Sequence, residues 1–261
     1  MQKPTRSAHL TPARARRHLS FGLFLAMAAC ATAVARAANA PDPLWAHASD
    51  RARATRWFLP GRMEIDESVA DAKGRPVNAT HLEVRVERDA AGEPRAVLER
   101  SLENGKDQTR KAAAPVEAQI TRALAEAFKD ANPLLRDSAD GVESAGERMI
   151  DGARCRGFTA SAESDGLRFV FTIWIDAQGE YARRIEFVAV NVPLEKNGAR
   201  LLGVEGATDY ALDGQGRWFA VRQTNRTRFR ASMLFFRFEG SSQTTTTYAV
   251  HWEYHGRRRP A

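Results

Sequence analysis

Residues 167–190, LRFVFTIWIDAQGEYARRIEFVAV, decide the fold class of this chain. In the first ten of these residues, Leu, Phe, Phe, Ile and Ile occupy every second position, so they share one face of an extended strand. The turn sequence DAQG follows at residues 176–179, and residues 181–190 alternate again, with Ile185 and Phe187 on one side. Two alternating segments joined by a short turn predict an antiparallel β-hairpin.

The remainder of the second half is also typical of strands joined by short turns. Residues 217–227, 230–239 and 244–254 are each rich in aromatic and β-branched side chains. Turns are predicted between them at residues 225–228 and 240–242. Because successive strands with short connections usually pair with each other, these segments predict an antiparallel meander.

The first half begins with a helix and continues with strands. Asp42 is placed to cap a short helix over residues 43–56, and Pro43 occupies its first position. Residues 81–89 then alternate strictly between apolar and polar side chains. This pattern predicts a strand with one face buried and the other in water.

A second helix is predicted at residues 115–130. Pro115 suits the first helical position, so residues 110–114 are interpreted as a connector. Apolar residues recur every four positions along the segment, as they do in a helix that buries one stripe. This stripe consists of Val116, Ile120, Leu124 and Phe128.

Together these elements predict a mainly β (α+β) fold. We expect a curved antiparallel sheet or half-barrel meander, with the N-terminal helix and the inserted helix covering one face. Residues 38–256 are interpreted as a single β-rich domain with a seam near residues 105–141 as an alternative. Residues 257–261 form a basic tail, in which a solvated end is favoured over a docking site.

Residues 1–37 have the pattern of a secretory signal peptide. Basic residues are followed by an uncharged apolar run from Leu19 to Val34 and by a small-x-small cleavage site ending at Ala37. We therefore expect a periplasmic or secreted protein with no transmembrane segment after cleavage. A lipid anchor on Cys30 is the alternative, because residues 27–30, MAAC, loosely resemble a lipobox.

The charge of the chain argues against a nucleic-acid partner. The net charge is +7, but six of the 39 basic residues and none of the 32 acidic ones lie in residues 1–37. The remainder carries 33 minus 32, or +1. No excess of positive charge is left to bind a phosphate backbone.

No catalytic motif is present, so neither enzymatic activity nor a cofactor is predicted. Gly-x-Ser-x-Gly, phosphate-loop and Cys-x-x-Cys patterns do not occur. Cys155 has no nearby His or Cys in the sequence and is interpreted as a structural thiol. His251, Glu253 and His255 share a strand face, but the two imidazoles stand roughly 13 Å apart along it, too far for one zinc ion. No metal site is predicted.

The large number of aromatic residues in the second half is unusual. Several strands carry bulky apolar groups on both faces, which a few helices cannot cover. We expect some of these groups to line an apolar pocket, since small-molecule sites are concave and mostly apolar. A filled core is the alternative. The predicted ligand-binding residues are Phe169, Phe171, Ile173, Phe187, Phe219, Phe235, Tyr248 and Trp252.

Residues 142–255 resemble the periplasmic lipoprotein carriers of the LolA and LppX type. The resemblance rests on FTIWIDAQGEY at residues 171–181, on RIEF at 184–187 and on DGQGRWF at 213–219. It implies a curved sheet plugged by short helices, around a cavity for acyl chains or another apolar ligand. The helix at 115–130 is longer, and its approach more charged, than in those carriers.

The leading hypothesis is therefore a non-enzymatic envelope protein that binds or carries a hydrophobic small molecule, a lipid or the acyl chain of a lipoprotein. One alternative is a structural or interaction protein of the envelope, with a filled core and a protein partner. A second is a hydrolase that uses His251 and Glu253.

Overall fold

The computed structural model describes residues 42–55, 58–127, 133–135, 141–164, 166–196, 199–233 and 236–254. The signal-peptide, Cys30, His255, Phe235 and basic-tail predictions lie outside these residues. The helices are α1 (Pro43–Thr55), α2 (Thr109–Ala127) and a 3-10 turn (Pro133–Leu135).

Strands make up most of the described chain. Those of the first half are β1 (Phe58–Asp71), β2 (Pro76–Arg88), β3 (Pro94–Glu103) and β4 (Lys106–Asp107). Those of the second half are β5 (Glu143–Ile150), β6 (Ala153–Ser164), β7 (Leu167–Asp176), β8 (Ala182–Ala189), β9 (Leu194–Lys196), β10 (Ala199–Leu212), β11 (Trp218–Met233) and β12 (Phe236–Glu253).

All twelve strands belong to one open antiparallel sheet. Its order is β4-β3-β2-β1-β12-β11-β10-β8-β7-β6-β5, and β9 pairs with β10. The predicted fold class, a mainly β antiparallel sheet with two helices, is confirmed. The hairpin predicted at residues 167–190 is β7 paired with β8.

The sheet is not a simple succession of neighbours, because β1 pairs with β12 from Phe58 opposite Glu253 to Asp71 opposite Gly240. A Cβ at Gly240 would lie 2.3 Å from the carbonyl oxygen of Ala70, so only glycine permits this close approach. This pairing joins the first half of the chain to the last strand.

Two of the predicted turns are wrong. Residues 225–228 lie within β11 and residues 240–242 within β12, so two long strands replace the three predicted ones. Asn225 is paired on both sides, with Gly206 and with Thr244. These polar and glycine residues favour turns locally, but hydrogen bonding to a neighbouring strand on each side keeps them in β11 and β12.

Helix α1 is confirmed as predicted. The backbone N–H of Leu44 donates to Asp42 Oδ1 at 3.0 Å, which is the expected N-terminal cap. Its inward face carries Trp45, Ala48 and Ala52, all less than 5% exposed.

Helix α2 begins six residues earlier than predicted, at Thr109, so residues 110–114 are helical and not a connector. The N–H of Thr109 donates to Asp107 Oδ1 at 2.8 Å, and this cap starts the helix before the proline. Pro115 lies inside the helix, where its ring removes one backbone donor without ending the helix.

Helix α2 also covers the edge of the sheet at β3. The N–H groups of Ala96 and Leu98 donate to Thr121 Oγ1 and Glu117 Oε1 at 2.9 and 3.0 Å. The N–H of Ser101 donates to Thr109 Oγ1 at 2.9 Å. Helix side chains thus bond strand amides that would otherwise be open at an edge.

The two helices lie over the same face of the sheet, here called the helix-covered face. Met63, Ile65 and Val69 alternate along β1 and therefore point to one side. Met63 and Ile65 pack in a core with α2, the α2 cluster, whereas Val69 packs in a core with α1, the α1 cluster. The face thus carries two separate apolar cores.

Candidate functional site

Between the two clusters, the helix-covered face is largely polar. Directly opposed residues of antiparallel strands share a face, so each row can be followed from strand to strand. One row runs Ile65, Thr246, Gln223, Thr208, Ile185, Ile173. The next runs Glu67, Thr244, Asn225, Gly206, Phe187, Phe171. Apolar residues occupy the β7 and β8 positions, and β10, β11 and β12 supply polar groups and glycine.

We call this middle region the central strip. Its residues are Gly206, Thr208, Tyr210, Gln223, Asn225, Thr244, Thr246 and Tyr248. None of these residues is basic or acidic, and the buried Glu67 lies next to Thr244 at its margin.

The β10 and β11 positions of the central strip are less tightly covered than β7, whereas Thr244 and Thr246 of β12 are buried. In β7, Phe169, Phe171 and Ile173 are 2%, 6% and 0% exposed. In β10, every residue of the same face from Val204 to Leu212 is half-buried. The accessible part of this face therefore lies over β10 and β11.

Hydrogen bonds between side chains join the strands at the strip. The hydroxyl of Tyr248 donates to Gln223 Oε1 at 2.7 Å, linking β12 to β11. At the margin, Ser242 Oγ donates to Glu67 Oε1 at 3.0 Å, and both side chains are buried. These bonds orient polar groups inside the protein, where such groups need partners.

One buried polar atom of the strip, Asn225 Oδ1, has no hydrogen bond within the described chain. Thr246 Oγ1 is also buried, and its hydroxyl interacts with that of Tyr248. Thr246 is 0% exposed. A buried polar group without a partner costs roughly 1–3 kcal/mol. Such groups are uncommon in native proteins, and each requires an explanation.

Gly206 provides room in the strip. A Cβ at this position would lie 2.5 Å from Phe187 Cζ and 2.7 Å from Asn225 Oδ1. The phenyl ring and the amide therefore occupy the space that a side chain would take. Substitution of Gly206 would displace both the α1 cluster and the strip.

The two tyrosines of the strip are enclosed by protein. Burial raises the pKa of Tyr210 and of Tyr248 well above the ordinary value. Both side chains nevertheless keep some accessible surface. The Tyr210 ring stacks on Trp218, with ring centroids 4.1 Å apart.

Four of the predicted ligand-binding residues meet in one place. Phe169, Phe171, Ile173 and Phe187 all lie in the α1 cluster. The rings of Phe169 and Phe171 lie 5.9 and 6.2 Å from that of Phe187, as in a packed core.

The other predicted residues lie elsewhere. Tyr248 belongs to the central strip, and Trp252 packs at the edge of the α2 cluster. Phe219 stacks on His251. His251 pairs with Pro60 of β1, whereas Leu59, the residue before Pro60, points to the helix-covered face, so His251 lies on the opposite face. The structure thus does not gather the seven described residues around one point, and the role of the predicted residues as ligand walls stays a prediction.

Sequence reasoning missed most of the central strip, because β10 was not predicted as a strand. Gly203 and Gly206 weaken the strand pattern of residues 199–212. The signal that could have found the strip is the TTTT run at residues 244–247, which places Thr244 and Thr246 on one face of a long strand.

His251 and Glu253 form no metal centre in the structure. No group of three or more metal-binding side chains occurs in the part of the chain that the structure describes. His251 Nε2 donates to the carbonyl of Ala220 at 2.9 Å, and burial lowers the pKa of the imidazole. This hydrogen bond and the stacking on Phe219 account for its position.

Cys155 lies on the opposite face in a small cluster with Ile150 and Trp174. Its thiol is 0% exposed, and burial raises its pKa. A buried thiol of raised pKa has little thiolate and is a poor nucleophile.

A shallow, open groove of about 360 Å³ lies beside β1, where the ladder brings β2 and β12 together. His81 Nδ1 lies 2.8 Å from Asp66 Oδ1 in this groove, and this bond raises the pKa of the imidazole. The groove is lined by Asp66, Glu67, Ser68, Ala79, Thr80, His81, Leu102, Gly105, Gln243 and Thr245. Seven of these ten residues are polar or charged, and none of the eight predicted ligand-binding residues is among them.

Two solved structures are similar to this chain over most of its length. One is a domain from Vibrio parahaemolyticus described as an outer membrane lipoprotein-sorting protein, at 8% identity and a TM-score of 0.36, covering 82% of this chain and 94% of that chain. The other is a DUF1329 family protein from Desulfovibrio piger, at 12% identity and a TM-score of 0.35, covering 84% and 96%. The sequence predicted a resemblance to lipoprotein-sorting proteins, and the similarity to the first of these structures confirms that resemblance.

No family model matches the chain, and no curated protein matches it at a significant level. Within the described residues, neither helix combines the length and the apolar character needed to cross a bilayer.

Proposed function

We propose that this chain is an exported, non-enzymatic envelope protein that binds or carries a hydrophobic ligand on the helix-covered face, between α1 and α2. The observation that supports this proposal most strongly is the incomplete cover over β10 and β11. Tyr210 and Tyr248 are enclosed enough for burial to raise the pKa of both, yet both keep accessible surface. An apolar ligand between the two clusters would complete the cover over these half-buried side chains, in keeping with the mostly apolar lining of ligand sites.

The two apolar clusters would flank such a ligand. Acyl chains gain about 0.8 kcal/mol for each buried methylene, so a ligand of ten carbons needs no charged anchor for measurable affinity. The signal-peptide pattern of residues 1–37 supports placement in the periplasm or outside the cell, with a lipid anchor on Cys30 as the alternative.

The first experiment asks whether the protein carries a lipid. Mass spectrometry of organic extracts from protein purified out of its native envelope should detect a bound apolar compound. The purified protein should also bind the neutral fluorescent probe N-phenyl-1-naphthylamine. Protein that contains no extractable lipid and does not bind the probe would contradict the proposal.

A substitution locates the ligand. Thr208→Phe places a ring over the half-buried floor of β10 and should weaken probe binding at least about fivefold, because it fills the space that the ligand needs. Thr224→Phe is the matched control, since Thr224 is next to Asn225 in β11 and points to the opposite face. Equal effects of the two variants would place the ligand elsewhere.

A second candidate function is an envelope interaction protein with a filled core. The close packing of Phe169, Phe171 and Phe187 favours it, because these rings leave little room among themselves. Strand β5 ends the sheet on one side and offers an edge for a partner protein or lipoprotein. Crosslinking in intact cells that captures one stable partner, without bound lipid, would favour this function.

A further inference from the structure

We infer that the sheet face opposite the helices docks this protein onto the surface of an anionic phospholipid bilayer, through a stripe of arginine side chains on β11. This contact is separate from the ligand site of the proposed function, because it uses the other face of the sheet. We call these residues the arginine stripe: Arg222, Arg226, Arg228 and Arg230.

The regular pairing of β11 with β12 places the whole stripe on one side of the sheet. Residues 222–233 each oppose one residue of β12 without a register shift, so their side chains alternate strictly. Phe229 points to the helix-covered face, where it packs in the α1 cluster. The arginines at even positions therefore point to the opposite face, and all four are exposed. Side chains two positions apart on a strand are separated by roughly 6.6 Å.

Two arginines of the stripe have an acidic neighbour. Arg230 Nη2 lies 2.6 Å from Glu239 Oε2. Arg226 Nη1 approaches Glu205 Oε1 only to 4.0 Å, and both side chains are more than half exposed, so solvent weakens this attraction. Arg230 also lies directly opposite Arg200 of β10, and like charges at opposed positions repel each other.

The other two arginines have no acidic partner. Within the described ranges of the chain, Arg222 and Arg228 form no ion pair. Asp209 opposes Arg222, but it accepts hydrogen bonds from Arg184 at 2.7 and 3.3 Å instead. Arg228 opposes Gly203, and a Cβ there would lie 2.8 Å from Arg228 Nη2, so the guanidinium lies over the glycine. Unneutralised positive charge along one strand attracts anionic groups.

Neutral hydrogen-bonding side chains of β12 flank the stripe. Each of them can donate a hydrogen bond to a phosphate oxygen, and none carries a negative charge that would repel it. Next to Arg222, Thr224, Arg226 and Arg228, they are Thr247, Thr245, Gln243 and Ser241. This side of the stripe therefore adds donors to the arginines.

Exposed valines on the same face favour a bilayer over a soluble anion. Val188 is 44% exposed and opposes Glu205, which in turn opposes Arg226 of the stripe. Val190, two residues further along, is 49% exposed. Cationic and apolar side chains on one face suit a bilayer surface, where the cations meet lipid phosphates and the apolar groups enter the boundary of the acyl chains.

Vesicle sedimentation tests the docking. Purified protein should bind vesicles of phosphatidylcholine and phosphatidylglycerol, mixed at about 7:3, at least about tenfold more tightly than vesicles of phosphatidylcholine alone. Binding to the anionic vesicles should weaken at least about tenfold between about 0.05 and about 0.5 M NaCl, because salt screens exposed charges. Protein that binds neither kind of vesicle, or binds both equally, would overturn the inference.

Variants of the stripe assign the contact. A triple variant with Arg222→Gln, Arg226→Gln and Arg228→Gln should bind the anionic vesicles at least about twentyfold more weakly, since each basic side chain near such a surface contributes about fivefold. Lysine at the same three positions retains the charge and should keep binding within about threefold of the wild type. Equal losses in the lysine and glutamine variants would contradict docking by charge.

A matched control separates the stripe from net charge, which is only +1 outside residues 1–37. Arg95→Gln, Arg110→Gln and Arg122→Gln together remove the same charge from exposed positions of β3 and α2. This control should bind anionic vesicles within about threefold of the wild type, because its arginines lie away from the stripe. Equal weakening in the two glutamine variants would overturn the inference.

A photoreactive residue at position 224 identifies the partner in intact cells. Thr224 lies between Arg222 and Arg226 on the same face. Crosslinking to phospholipid supports the inference, whereas crosslinking to one acidic protein assigns the stripe to that protein and overturns it. Protein that docks on anionic vesicles but binds no N-phenyl-1-naphthylamine refutes the proposed function alone.

Discussion

Asp176 shows how a single side chain stabilises the hairpin of β7 and β8. It is 5% exposed, and its Oδ1 accepts the N–H groups of Gln178 and Gly179, both at 2.9 Å. Its Oδ2 accepts Arg183 Nε at 2.8 Å. Burial alone would raise the pKa of this carboxyl, but these donors outweigh burial and hold the pKa below its usual value.

This lowered pKa gives a pH-dependent stability. A carboxylate whose folded pKa is lower than its unfolded value of about 3.9 stabilises the fold fully above that value, and loses its effect as pH falls through the folded pKa. Asp176→Asn should therefore lower the free energy of unfolding by about 1–3 kcal/mol at pH 7, and by less near pH 3. Urea unfolding at the two pH values measures the difference.

Asp50→Asn is the control for Asp176. Asp50 pairs with Arg53 at 3.1 Å on the surface of α1 and is 74% exposed, so its loss should change stability by less than about 0.5 kcal/mol. A destabilisation by Asp176→Asn that is the same at pH 3 and pH 7 would contradict the assigned role of its charge.

At the scale of elements, α2 does two things at once. Its apolar stripe, Val116, Ile120 and Leu124, fills the α2 cluster as the sequence predicts. Its polar positions Thr121 and Glu117 accept N–H groups from β3. Periodicity identifies the first role, but the second depends on where the helix lies relative to a strand edge.

A double substitution tests this edge contact. Thr121→Val with Glu117→Met retains side-chain bulk and removes the acceptors for Ala96 and Leu98. We expect a loss of about 1 kcal/mol of stability for each bond and faster hydrogen exchange of these two amides. Arg122→Met, at an exposed position of the same helix, should leave both amides protected. Unchanged exchange in the double variant would show that the helix does not protect this edge.

At the scale of the whole molecule, the pairing of β1 with β12 holds the sheet together. Glu67 and Ser242, which form a hydrogen bond across it, are 175 residues apart in the chain. Every row of the central strip crosses this pairing, so the strip does not exist until both ends of the chain have met. Contacts of such long separation are slow to form and cost loop entropy.

Gly240→Ala tests how much the fold depends on this pairing. The added Cβ would lie 2.3 Å from a backbone oxygen of β1, so the strands must separate, and we expect a loss of about 1–3 kcal/mol. Gly214→Ala is the control, because no atom lies within 4 Å of a Cβ there. Thermal unfolding measures both, and equal melting temperatures would contradict the close approach.

Local sequence patterns predicted the elements better than the site. The alternation in residues 167–175, the cap at Asp42 and the apolar stripe of α2 each report on one element and its neighbours in the chain, and each is found in the structure. The start of α2 and the extent of β11 and β12 were not predicted, because strand pairing and an upstream cap overrode the local preferences of Pro115, Asn225 and Gly240.

The sequence alone thus determined that this chain forms a mainly β antiparallel fold with two amphipathic helices, because periods of two and of about 3.6 residues are local properties. Only the tertiary structure decided that β1 lies beside β12 and that polar residues of β10, β11 and β12 share one row between two apolar cores. Register between strands distant in sequence depends on which faces are buried together, and no local period encodes that choice.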